Sequence, residues 1–185
     1  HLGIDDTHMR MFVPTGKGRT VYQLNSLFNH RYYEPSLRTL PVPALLIRQK
    51  SEAWDHPFIA VYEPYGNGAK SQIRSVYTSK TPKQKGVAKL SVEYFKKDKM
   101  DHIIHSVNEK TEAKYMGIRF MGTYCVVTME KGRLVSLYIG NGYSFSMDGL
   151  EVTLGEGKPF DAWLEWRDGE WICHSREAVK IKMMK

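Results

Sequence analysis

The sequence predicts an all-β fold: an antiparallel two-sheet β-sandwich with many short, hairpin-linked strands. Three observations predict it. Apolar and polar residues alternate along most of the chain, the period at which a strand turns one face to a core and the other to water. Four tight-turn sequences punctuate those runs: Glu130–Lys131–Gly132, Gly140–Asn141–Gly142, Asp148–Gly149 and Arg167–Asp168–Gly169–Glu170. Gly, Asn and Asp accept the positive φ that hairpin turns need. No segment of ten or more residues keeps a helical period.

Taken in order, Met9, Met11 and Val13 alternate with Arg10 and Phe12. Up to residue 60 the pattern is irregular, and Pro35, Pro41 and Pro43 are expected to cut it into short edge pieces or connections. Residues 58–62 form a strand-length apolar run. Val87–Phe95 alternates over a full strand length, and Lys96–Lys97–Asp98–Lys99 reads as a turn. Ser106–Met116 has too few apolar positions for a helix and is expected to be a loop or a short helical turn. Cys125–Met129 and Arg133–Ile139 read as a hairpin pair; Tyr143–Met147, Leu150–Leu154, Ala162–Trp166 and Trp171–His174 complete the series. About a dozen strands at 8–12-residue spacing suit a sandwich. With no repeat, linker or low-complexity tract, residues 1–185 read as a single domain.

Composition narrows the class. The 185 residues are 42% hydrophobic and 25% charged, which excludes a disordered chain. Aromatics reach 12%, with 11 Tyr, favouring strands and surfaces for carbohydrate or other flat ligands. No apolar run approaches the ~18 residues that cross a bilayer. The start, His1–Leu2–Gly3–Ile4, has neither a basic segment nor an apolar core and lacks Met, so a processed product or excised domain is expected. Cys125 and Cys173 read as buried free thiols, with a cross-strand disulfide left open.

The net charge of +7 is uneven. Residues 70–110 hold ten Lys or Arg against Glu93, Asp98, Asp101 and Glu109, which is +6. One reading is a solvated lysine rim that keeps sheet edges from pairing; the other is attraction of a polyanion. Arg is scarce and no groove-reading helix is visible, so an acidic polysaccharide is a better partner than nucleic acid.

No complete catalytic signature is present. His1, Asp5, Asp6 and His8 match no standard metal spacing, and neither a metal nor a cofactor is expected. Asp55–His56 beside Trp54 reads as a strand-end turn. His102 and His105 lie three apart on a predicted strand and so face opposite sides. The best ligand candidates are His30, Arg31, Tyr32 and Tyr33: a guanidinium for bidentate contact with a carboxylate or sulfate, a titratable ring, and phenols that stack on sugars.

Leu40–Pro41–Val42–Pro43–Ala44–Leu45–Leu46–Ile47–Arg48–Gln49–Lys50, then Glu52–Ala53–Trp54 and Pro57–Phe58–Ile59–Ala60–Val61–Tyr62–Glu63–Pro64, resembles the β-sandwich region of the heparinase II/III-like polysaccharide lyases. Strands at His8–Met11 and Ser71–Val76 fall in suitable places, and the likeness is best over residues 8–78. It implies a β-sandwich that packs against a helical toroid of the same parent chain, with acidic polysaccharide in the cleft between them. Cleavage in that family is β-elimination at a uronic acid. Its Tyr and its Asn/His or Glu come from the toroid, and a further His from early sandwich strands; none of these motifs is matched here. The expectation is the later, C-terminal sandwich of a periplasmic or extracellular lyase, inactive alone, with no membrane partner. The alternative is a non-catalytic carbohydrate-binding or adhesin-like sandwich.

Overall fold

A computed structural model describes residues 7–16, 18–27, 41–50, 52, 57–66, 68–79, 84–96, 98–154 and 157–183. They form fourteen strands and no α-helix, and every pairing is antiparallel. The chain divides into two compact units, residues 15–52 and residues 1–14 with 53–185.

The smaller unit is a hairpin of β2 (Arg19–Leu27) and β3 (Pro41–Gln49). Pro41 and Pro43, expected to mark short edge pieces or connections, stand at the start of a strand that is an edge but runs for nine residues. A two-stranded ribbon has a free edge on each strand, and a residue there can lack an N–H without losing a ladder bond.

The larger unit begins with β1 (Thr7–Phe12) on β4 (Val61–Gly66). Its remaining strands are β5 (Ile73–Thr78), β6 (Val87–Tyr94), β7 (Lys99–Ser106), β8 (Glu112–Tyr115), β9 (Ile118–Glu130), β10 (Arg133–Met147), β11 (Leu150–Leu154), β12 (Phe160–Arg167), β13 (Glu170–Ser175) and β14 (Val179–Met183). They share one hydrogen-bonded sheet that folds back on itself. Long β9 and β10 make this possible. Residues 124–130 of β9 pair with β7, while 118–121 pair with β8. Residues 136–142 of β10 pair with β12, while 144–147 pair with β11.

The first layer is therefore β5–β6–β7–β9–β10–β12–β13, and the second is β8–β9–β10–β11–β14. Between them lies the main core, with Ile104, Cys125, Val127, Leu137 and Leu164 from one layer against Ala113, Phe145, Leu150 and Val152 from the other. This is the sandwich that the alternation predicts. Three of the four turns close hairpins as expected, with positive φ at Lys131–Gly132, Asp148–Gly149 and Asp168–Gly169. Gly140–Asn141–Gly142 does not reverse the chain. It is the corner where β10 passes from layer to layer, with register shifts on both sides and Asn141 at φ +48°. Gly142 faces Gly122, where a Cβ would stand 2.6 Å from the Gly142 Cα. Residues 106–116, expected to be a loop or helical turn, hold the short strand β8.

A smaller core covers part of the outer face of the first layer. There Phe12, Ile59 and Val61 pack on Ile73, Leu90 and Val92. The cover is pinned by Glu63, buried and accepting hydrogen bonds from Ser71 Oγ (2.7 Å) and the Gln72 amide (2.6 Å), with the Arg10 guanidinium 3.5 Å away.

Candidate functional site

Beyond that small core, which reaches Ile103 on β7, the registers line up aromatic side chains on the outer face of the first layer from β7 to β13. His105 lies opposite Tyr124, Tyr138 opposite Trp163, and Trp163 opposite His174. Ring centroids are 6.5 Å apart for His105–Tyr124, 6.1 Å for Tyr124–Tyr138 and 4.8 Å for Trp163–His174, the last pair stacked at 21°. Gly140 leaves room beside Tyr138: a Cβ there would be 3.5 Å from the Tyr138 ring. Trp163 donates from Nε1 to Ser136 Oγ at 3.3 Å, which fixes the indole over β10. Tyr138 and Trp163 are 45% and 44% exposed, while Leu137 and Leu164 beside them in sequence are fully buried. One face of these strands makes the core, and the other presents a row of rings across five strands, about 20 Å at the ordinary strand spacing.

Polar groups edge the row. Glu165 accepts from Arg167 at 2.8 Å and lies 3.6 Å from His174 Nε2. At the other end His105 enters a cleft of about 230 Å³ with Phe58, Val87 and Val107. The rings are tilted, 62° between His105 and Tyr124 and 66° between Tyr124 and Tyr138, so the row offers a mixture of ring faces and edges, and with hydrogen-bonding groups at its rim it suits ligands that have an apolar ring face and polar edges.

Other titratable groups have structural tasks. His102 faces the core, opposite in direction to His105, as the strand period requires. Ser91 Oγ lies 2.8 Å from His102 Nδ1 and 2.6 Å from Tyr115 Oη. Burial, partly opposed by Asp101, lowers the His102 pKa below its ordinary 6.5. Tyr143 donates to Glu109 at 2.8 Å and Asn141 Nδ2 donates to the same carboxylate at 2.5 Å, which ties residue 109 to the corner. The hydroxyls of Tyr94, Tyr115 and Tyr124 are all held above the ordinary 10, chiefly by burial, and that of Tyr143 chiefly by its bond to Glu109. A phenol shifted upward is a poorer proton acceptor at neutral pH. Among the described residues no group of three or more His, Cys, Asp or Glu could hold a metal. Cys125 and Cys173 are free thiols, on strands separated by β10 and β12.

His30, Arg31, Tyr32 and Tyr33 lie outside the described residues, as do Trp54, Asp55, His56, His1, Asp5 and Asp6. His8 stacks on Tyr65 at 5.2 Å. Among the described residues the basic side chains of 70–110 do not gather at one place: Lys85 and Lys96 flank opposite ends of β6, Arg74 pairs with Glu93, and Lys99 sits over the Tyr94 ring. Sequence reading does not pick out the aromatic row, because each ring occupies an ordinary outward strand position. Only the register across β7, β9, β10, β12 and β13 joins them; the high aromatic content is the one hint.

The family described as endo-acting ulvan lyase C-terminal domain matches residues 73–165, more than half of the chain. The chain belongs to that family. The chain is 34% identical over 149 residues to an endo-acting ulvan lyase of Formosa agariphila, covering 76% of the chain and 17% of that relative. It thus spans about a sixth of the length of the relative. No solved structure matches it. The matched stretch runs from the start of β5 to Glu165 and contains His105, Tyr124, Tyr138 and Trp163, whereas the heparinase II/III-like resemblance rests on residues 8–78. What holds is the coarser class, a polysaccharide-lyase C-terminal domain.

Proposed function

We propose that this domain is the glycan-holding, non-catalytic sandwich of a polysaccharide lyase that cleaves an acidic glycan, ulvan being the candidate, by β-elimination. The observation that carries the reading is the aromatic row on the outer face of the first layer, with Tyr138 and Trp163 exposed. Sugar rings lie on such rings by their apolar faces while their hydroxyls reach rim groups such as Glu165 and Arg167. The positive net charge favours a polyanion and draws it in at long range. The base and the group that neutralises the uronate carboxylate then belong to another part of the parent chain. The helical toroid of the heparinase II/III-like architecture is the proposed source, with this sandwich supporting one side of the cleft. Residues 1–185 act as one domain in this reading, and the parent works where its polysaccharide is, in the periplasm or outside the cell. His30–Tyr33 is proposed as a second contact, with Arg31 on a carboxylate or sulfate.

Titration of the chain with ulvan oligosaccharides tests the reading. Trp163→Ala should weaken binding about tenfold, ~1.4 kcal/mol, and Tyr138→Ala by a similar factor, with folding unchanged because both rings are exposed. Unaltered affinity in both variants would remove the row from the site. Arg31→Ala should cost more than Lys85→Ala, since a guanidinium grips an oxyanion bidentately.

A further inference from the structure

We infer that a second cleft, at the edge between the two layers, binds one oxyanion substituent of the glycan, a carboxylate or a sulfate ester. The cleft has a volume of about 470 Å³ and is lined by Lys89, Lys114, Tyr115, Met116, Ile118 and Arg119, among others. That size lies within the range of small-ligand sites. It opens on the core side of β6, opposite the aromatic row, so the two sites are separate.

Two observations point to a ligand. The first is Lys89. Its side chain alternates with Leu90 and projects into the interlayer space, half-buried, with Ile104 as its cross-strand neighbour. Its ammonium has no ion-pair or hydrogen-bond partner among the described residues, and burial lowers its pKa. Lys114 and Arg119 share one acid, Glu112, at 3.2 and 3.0 Å. Lys114 and Arg119 are largely exposed and share Glu112, whereas Lys89, the less exposed cation of the lining, has no acid beside it among the described residues. A partly desolvated charge without a counter-ion is unfavourable, and an incoming anion relieves it.

The second is Met116. It takes the first central position of the two-residue β8–β9 turn with φ +49°, followed by Gly117 at +81°. Such a turn favours Asn or Asp there, and an unbranched apolar residue is strained in the left-handed region. Met116 is also largely exposed. Strain held by an exposed apolar residue at the lip of a cleft is expected where the side chain is used. Exposed Met116 gives the cleft an apolar lip, which suits a sugar ring carrying an acidic group.

The inference rests on the glycan-binding reading, and the test separates the two. The full chain is titrated with three oligosaccharides: one bearing only carboxylates, one bearing only sulfate esters, and one neutral. Lys89→Met keeps the stem and removes the charge; Met116→Asn relieves the turn. Lys89→Met should lose about tenfold affinity for at least one acidic oligosaccharide, and which one identifies the group bound. It should leave the neutral one unchanged. Met116→Asn should raise the melting temperature while weakening the same acidic ligand. Wild-type affinity for both acidic ligands in Lys89→Met overturns the inference while leaving the row intact if Trp163→Ala still weakens binding. Failure of the wild-type chain to bind any of the three overturns both readings.

Discussion

Ser91, His102 and Tyr115 join two layers through a polar contact inside an apolar core, and this places a titratable ring where its charged form is disfavoured. The His102 pKa is lowered in the folded state, so the unfolded chain binds the proton more readily. Stability from this group is present above the ordinary His value of 6.5 and is lost as pH falls from there through the folded-state value. Glu63, Glu109 and Glu112 are lowered from 4.5 and act in a more acidic window. Urea unfolding at pH 7, 6 and 5 should show falling stability in the wild type and a shallower fall in His102→Gln; parallel curves would count against His102 as the source. Glu63→Ala leaves donors from Ser71, Gln72 and Ile73 without their acceptor and should cost about 1–3 kcal/mol in the same assay. That His102 and His105 face apart is readable from the two-residue period alone. That Ser91 and Tyr115 meet His102 is not, because the partners come from other strands and depend on register.

The corner of β9 and β10 decides the element scale. Gly122 has φ +154°, and a Cβ on it would lie 2.5 Å from Phe120 Cζ and 2.6 Å from Gly142 Cα. Gly132, in an open hairpin turn, has nothing near its missing Cβ. Gly122→Ala should therefore lower stability by about 1–3 kcal/mol through overpacking, and Gly132→Ala by about 1 kcal/mol through backbone strain alone. Urea midpoints at constant slope measure the difference; equal losses would mean the corner is not closely packed. Gly140–Asn141–Gly142 looks like a hairpin turn in the sequence because a corner needs the same permissive residues. The distinguishing feature is Gly122 on the opposite strand, about twenty residues away. The same limit hides the aromatic row: outward Tyr124, Tyr138 and Trp163 are each unremarkable until two registers bring them together, Tyr124 diagonally to Tyr138 and Trp163 directly opposite it. Pro41 and Pro43 do mark an edge, but the length of that strand is not legible from them, since an edge tolerates what a central strand does not.

At the scale of the molecule, one sheet bent through two glycines gives a core on its inner side and a ring-bearing face on its outer side. Membership in the ulvan-lyase C-terminal domain family gives that face a context; burial disfavours the phenolate of Tyr94, Tyr115 and Tyr124, and His102 is enclosed in the core with Ser91 and Tyr115. The isolated chain should therefore release no unsaturated uronate from ulvan, as read by ultraviolet absorbance; clear turnover would place the chemistry in this domain. Binding should fade as salt rises, since the Debye length falls from ~10 Å at 0.1 M to ~3 Å at 1 M. The most direct test is a map of NMR shift changes on adding an ulvan oligosaccharide to the labelled chain. The account predicts that the largest outer-face changes fall on Tyr124, Tyr138, Trp163 and His174. Changes that leave those four untouched would contradict it.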